Sequence, residues 1–220
     1  MRFFKSRKLL AIISALLVLS MAVGFSACKG GKDSNETTSS TEPTTEPSMT
    51  AQELANAIIP AVVKTDMATV MSYSFVDVDK AFEDKISDKG MDRAAVYKDL
   101  TESLGTEINC YTDFLKKQAE IQEDALKIQF GEDYKITYEI IEDNVCTPEE
   151  KEEKILNILA KLEKGGFSSA RYFDPSKAEE FREIDFDYTI EGSKNKQSSA
   201  KIITLCKYDG KWVYGDIEMM

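Results

Sequence analysis

Residues 184–218 read IDFDYTIEGSKNKQSSAKIITLCKYDGKWVYGDIE. The first eight alternate without a fault. Ile184, Phe186, Tyr188 and Ile190 fall on one side; Asp185, Asp187, Thr189 and Glu191 fall on the other. A period of two with one apolar side predicts a strand with one buried face. GSKNKQ then supplies a turn, AKIITLCKY a second strand, and Asp209-Gly210 a two-residue hairpin turn whose backbone angles glycine tolerates. KWVYGDIE completes a third strand, so the chain ends in an antiparallel meander.

Upstream, YKITYEIIEDN (134–144) alternates in the same way through Ile136, Tyr138 and Ile140 and predicts another strand. Between the two regions, Thr147-Pro148-Glu149-Glu150 combines a capping box, proline at the first helical position and acids in the first turn. The helix that follows carries Ile155, Ile158, Leu159 and Leu162 on one face and ends at Gly165-Gly166. From residue 49 to 134 the chain reads as a series of helices and loops. Thr50 with Glu53 caps a helix from about residue 51, with Leu54, Ile58, Ala61 and Val62 on its face and Pro60 expected to bend or break it. A short helical stretch near 66–73 follows, then a loop and short helix over 75–91. Asp92 caps RAAVYKDLTESL, which Gly105 closes. A longer helix over 110–129 is expected to bury Tyr111, Phe114, Leu115, Ile121, Ala125 and Ile128, ending at Gly131.

Helices, one strand, a helix and three antiparallel strands make one α+β domain over residues 49–220, with a curved sheet packed on helices at one face. With its closing YDGKWVYGD, this order over residues 110–220 resembles the nuclear-transport-factor-2-like, or cystatin-like, cone. That resemblance implies a sheet wrapped round a long helix with a pocket at the open end, and it brings no catalytic motif. Tyr138, Phe186, Tyr188, Trp212 and Tyr214 are the candidate lining of such a pocket. Aromatics at alternate strand positions serve a core equally well.

The chain begins MRFFKSRK, four basic residues and no acid, followed by the uncharged run LLAIISALLVLSMAVGFSA from Leu9 to Ala27. A basic head, apolar middle and small-residue exit are the parts of a secretory signal peptide. Phe25-Ser26-Ala27-Cys28 resembles the lipobox of bacterial lipoproteins, with Phe25 where that family has leucine. The resemblance implies diacylglycerol on the Cys28 thiol, cleavage between Ala27 and Cys28, and a protein held on the outer side of the cell membrane. The rival is an uncleaved membrane anchor, since about 20 apolar residues span a bilayer. Two or more acyl chains suffice for stable attachment where one does not. Residues 28–48 contain no large apolar side chain beyond the cysteine and read as a disordered tether spanning about 25 Å.

The full chain has a net charge of −11. Its 28 Lys and Arg less the four at the head leave 24 against 39 acids, or −15 after cleavage. Such a surface disfavours nucleic acid, whose binding depends on cations meeting phosphates. The absence of histidine removes Ser-His-Asp and Cys-His catalysis and His-ligated zinc. There is no phosphate-binding glycine loop, and DVDKAFED (77–84) fails as a calcium loop because Ala81 and Phe82 occupy ligand and glycine positions. Its acids read as a solvated loop, and Asp185 with Asp187 as a wet strand face. No cofactor or metal is expected. Cys110, Cys146 and Cys206 allow at most one internal disulfide and are expected as packed thiols. Three functions follow in order of preference: a lipid-anchored binding or accessory module for a protein or small molecule, a structural interaction domain, and a ketosteroid-isomerase-like enzyme using a buried carboxylate.

Overall fold

A computed structural model describes residues 49–215. The readings made on residues 1–48, with Ala27 and Cys28 among them, and on 216–220 lie outside the described residues. Helix α1, Ala51–Lys64, starts at the expected capping box, where Glu53 N donates to Thr50 Oγ1 at 3.2 Å and Thr50 N donates to Glu53 Oε2 at 2.7 Å. It runs through Pro60 unbroken. Proline has no N–H for the carbonyl four residues back. That carbonyl belongs to Asn56, and the Tyr138 hydroxyl lies 3.4 Å from it and 3.2 Å from the Asn56 side-chain oxygen. A strand residue thus serves the bond that the helix gives up.

Helix α2, Met67–Ser72, and helix α3, Val78–Asp88, follow, each capped by an aspartate, Asp66 and Asp77. Helix α4, Arg93–Leu104, is capped by Asp92 and closed by Gly105 at a φ of 64°. Helix α5, Tyr111–Phe130, has Cys110 at its start, and that side chain makes no capping bond. The cap comes from α3 instead: Asp79 accepts from Thr112 N at 2.6 Å and Thr112 Oγ1 at 2.9 Å. The acids of DVDKAFED are therefore not a solvated loop. Asp77 and Asp79 cap two helices, and Asp84 accepts from the Tyr172 hydroxyl at 2.6 Å.

The expected face of α5 is corrected. Ile121 is 44% exposed and Ile128 75%, and Ala125 is exposed too. Leu115 is buried as expected, and beyond it Leu126 and Phe130 take the inward side. At about 100° per residue these lie a third of a turn away from the Phe114–Ile121–Ala125–Ile128 stripe. Only the first turn of that stripe meets α3, where Tyr111 stacks on Phe82 with centroids 4.5 Å apart.

Strand β1, Lys135–Val145, leads into helix α6, Pro148–Lys164, whose Thr147–Glu150 capping box forms as expected. A short helix α7, Ser169–Tyr172, and a 3-10 turn, Pro175–Lys177, precede strand β2, Ala178–Glu191. Strand β3, Lys196–Tyr208, and strand β4, Lys211–Tyr214, complete one antiparallel sheet in the order β1-β2-β3-β4. Asp209 and Gly210 turn the last hairpin with φ of 53° and 79°. The fold is α+β.

Two cores lie on opposite faces of this sheet. Ile184, Phe186 and Ile190 of β2 join Ile203 and Leu205 of β3 and Tyr214 of β4 against α1. Ala178 and Phe181 of β2 join Cys206 of β3 against Ile158 and Leu162 of α6 and Val76, Ala81, Phe167 and Phe173. The expectation of helices on one face is thus corrected. The helix inserted between β1 and β2 has its own apolar stripe to bury, and the second face of β2 is the place for it.

The sheet edges differ. Beyond β4, Ser74 forms a parallel bridge with Tyr214, whose N–H donates to Tyr73 O at 2.8 Å. Strand β1 pairs only with β2 among the described residues. Near the β2–β3 turn, Lys194 N donates to Phe130 O at 2.9 Å, and a Cβ on Gly192 would collide with that same carbonyl. Gly192→Ala is expected to lower stability by about 1–3 kcal/mol, the usual range for overpacking. Urea unfolding followed by circular dichroism checks it, and an unchanged midpoint contradicts this packing.

Candidate functional site

The five aromatics proposed from the sequence are brought together on the α1 side of the sheet. Phe186 and Tyr214 are core residues, 1% and 8% exposed. Tyr138, Tyr188 and Trp212 are half-buried and pack against the same core. Each half-buried ring has a polar neighbour. Tyr138 reaches Asn56, Lys201 Nζ lies 5.8 Å from the Tyr188 centroid, and the Arg182 guanidinium lies 5.5 Å from that of Trp212. Arg182 in turn holds Asp143 at 3.2 Å and Glu180 at 2.7 Å. The aromatics form the inner wall and rim of the α1 core.

Carboxylate chemistry requires an acid held near neutrality beside a hydroxyl. Three acids accept from tyrosine hydroxyls: Glu123 from Tyr134 at 2.6 Å, Glu83 from Tyr97 at 2.9 Å, and Asp84 from Tyr172 at 2.6 Å. Each also has a cation, Lys64 at 3.1 Å from Glu123, Arg93 at 2.7 Å from Glu83 and Arg171 at 3.5 Å from Asp84. Glu123 sits between α1, α5 and the segment before β1. The Tyr134 bond, with Lys64 added, holds its carboxyl below the usual carboxylate range. It is a fixed anion rather than a proton acceptor at neutral pH. Sequence reading missed this hub because its parts lie at positions 64, 123 and 134, and no local spacing links them.

Asp185 behaves in the opposite way. Partial burial raises its pKa, and Glu142 and Glu183 add to the rise. The register explains the crowding: Glu139 stands opposite Asp187, Glu142 opposite Asp185 and Asn144 opposite Glu183. Glu183 is bonded to Lys154 of α6. Among the described residues no lysine or arginine pairs with Glu139, Glu142, Asp185 or Asp187, and no group of acids and thiols is arranged to hold a metal. Like charges opposite one another on a sheet are destabilising. Ile202 of β3, beside Asp185, is 52% exposed, and Ile141, the bulged residue before Glu142, is 53% exposed.

Cys110, Cys146 and Cys206 are free thiols. Burial pushes Cys146 up to about 11 and Cys206 up to about 12, and it raises Cys110 as well. All three therefore stay protonated at neutral pH, the form that is slow to attack a disulfide or an electrophile.

Asp185→Asn is expected to stabilise the domain at neutral pH by about 0.2–1 kcal/mol, the range of cross-strand pairs. A carboxyl whose folded pKa is raised binds more protons folded than unfolded, so its penalty is present above the folded value and disappears as pH falls through it. The advantage of the variant should thus shrink with acidification and vanish below the ordinary aspartate range. Thermal melts at several pH values check this, and a gain that grows on acidification contradicts it.

No family model matches the chain, no curated protein matches it, and no solved structure matches it.

Proposed function

We propose that this chain is a bacterial lipoprotein, tethered through Cys28 to the outer side of the cell membrane, whose α+β domain is a binding or accessory module. The observation that carries the reading is the N-terminal order: basic head, apolar run, Phe25-Ser26-Ala27-Cys28 and then a polar tether rich in Thr, Ser, Glu and Pro. Diacylation at Cys28 supplies the two chains that stable anchoring needs. Once the basic head is removed the protein is strongly acidic, which keeps the domain from lying flat on an anionic lipid surface.

The domain supports binding over catalysis on one ground. Tyrosine hydroxyls stand beside acids that ion pairs also hold, whereas the acid with a raised pKa, Asp185, has no tyrosine bonded to it among the described residues. The aromatic wall around Tyr138, Tyr188 and Trp212 is the candidate place for a small apolar ligand, in the manner of the cystatin-like cone that the strand order resembles.

Cys28→Ser tests the anchor. The unaltered protein should partition with membranes and yield, by mass spectrometry, a diacylated peptide beginning at residue 28. The variant should keep residues 1–27 or appear in the soluble fraction. Finding residues 1–27 intact in the membrane-bound unaltered protein rules the processing out.

A further inference from the structure

We propose that the open edge of β1 is a docking site for an extended, cationic polypeptide segment of another protein, which adds to the sheet as a fifth strand. The inference deepens the binding reading by naming the partner's chemistry, and it does not depend on lipid at Cys28. Every second residue of an edge strand turns its N–H and C=O away from its neighbour, which makes an edge a template for a further strand. The two edges of this sheet are treated differently. Tyr73 and Ser74 meet the β4 edge at Tyr214, while ten of the eleven residues of β1 pair with β2 on one side only, the bulged Ile141 excepted, among the described residues.

Charge identifies the occupant. Glu139 and Glu142 on β1, with Asp187 and Asp185 opposite them, place on one face of this ladder four acids that have no basic partner among the described residues. Exposed Ile141 and Ile202 lie among them. A strand alternating basic and apolar side chains sets lysines against the acids and offers the isoleucines apolar contact. The same acids exclude the other candidates. A second copy pairing β1 with β1 brings acids to acids, and the chain as a whole carries −11. The tether at residues 29–48 carries Asp33, Glu36, Glu42 and Glu46 against Lys29 and Lys32, and its Pro43 and Pro47 have no N–H to donate. Like-charge rejection of wrong strands together with attraction of the right one is how such an edge becomes selective.

The test uses the full chain purified in detergent and a fluorescent decapeptide of alternating lysine and valine. Fluorescence anisotropy should show saturable binding that weakens as salt rises, and hydrogen exchange should slow at residues 135–145 but not at 211–214. The same peptide N-methylated at every residue keeps its charge and loses its donors, and it should bind at least tenfold more weakly. A Glu–Val decapeptide should not bind. Glu139→Gln with Asp187→Asn should weaken binding about tenfold, and its unaltered circular dichroism spectrum shows that the fold survives. Equal binding of the methylated peptide reduces the interaction to charge adsorption and overturns the proposal. So does slowed exchange elsewhere, the absence of binding at millimolar peptide, or a dimer whose β1 amides are protected without peptide.

Discussion

Strand β2 holds this structure together because its side chains belong to two different interiors. Ile184, Phe186 and Ile190 face α1, while Ala178 and Phe181 face α6. An irregularity between Ala178 and Glu180 adjusts the phase near the strand's start. Fully burying one large aliphatic or aromatic side chain stabilises by about 1.5–3 kcal/mol. Most ion pairs here are solvated, and exposed pairs contribute about 0–1 kcal/mol. A polar substitution at Phe181 or Phe186, 1% exposed each, therefore outweighs the loss of several surface bridges.

Much of this frame is legible in the sequence. Alternation marks Ile184–Glu191 as a strand, and the Thr50–Glu53 and Thr147–Glu150 boxes mark two helix starts because both partners lie within one turn. The less legible parts depend on contacts between distant segments. The buried side of α5 follows the placement of α1 and α3, so the most continuous apolar stripe, Ile121–Ala125–Ile128, faces outward. Phe181, Cys206 and the inserted α6 build a second interior that local alternation does not reveal. The acids of residues 77–84 look solvated in isolation and become caps and hydroxyl acceptors only when α5 and α7 arrive.

The candidate site was legible in part. Five aromatics read from the strands do share the α1 side of the sheet, two of them inside the core. Asp185 and Asp187 were read as ordinary strand-face acids. Asp187 is exposed and Asp185 half-buried. The strand that stands opposite adds Glu139 and Glu142, and a pairing register is not visible in either strand alone. Polar satisfaction runs along the same long-range lines. Tyr138 serves the carbonyl that Pro60 leaves open, and Glu123 joins Lys64 to Tyr134.

Helix α5 begins at Cys110, which offers no cap of its own, and Asp79 on α3 takes that role. The first turn of the longest described helix is thereby tied to a short helix that starts more than thirty residues earlier in the chain. Fraying of α3 withdraws the acceptor from Thr112, so the two helices should open together as one cooperative unit, with proteolytic nicking near residue 79 loosening a segment that protease never touches.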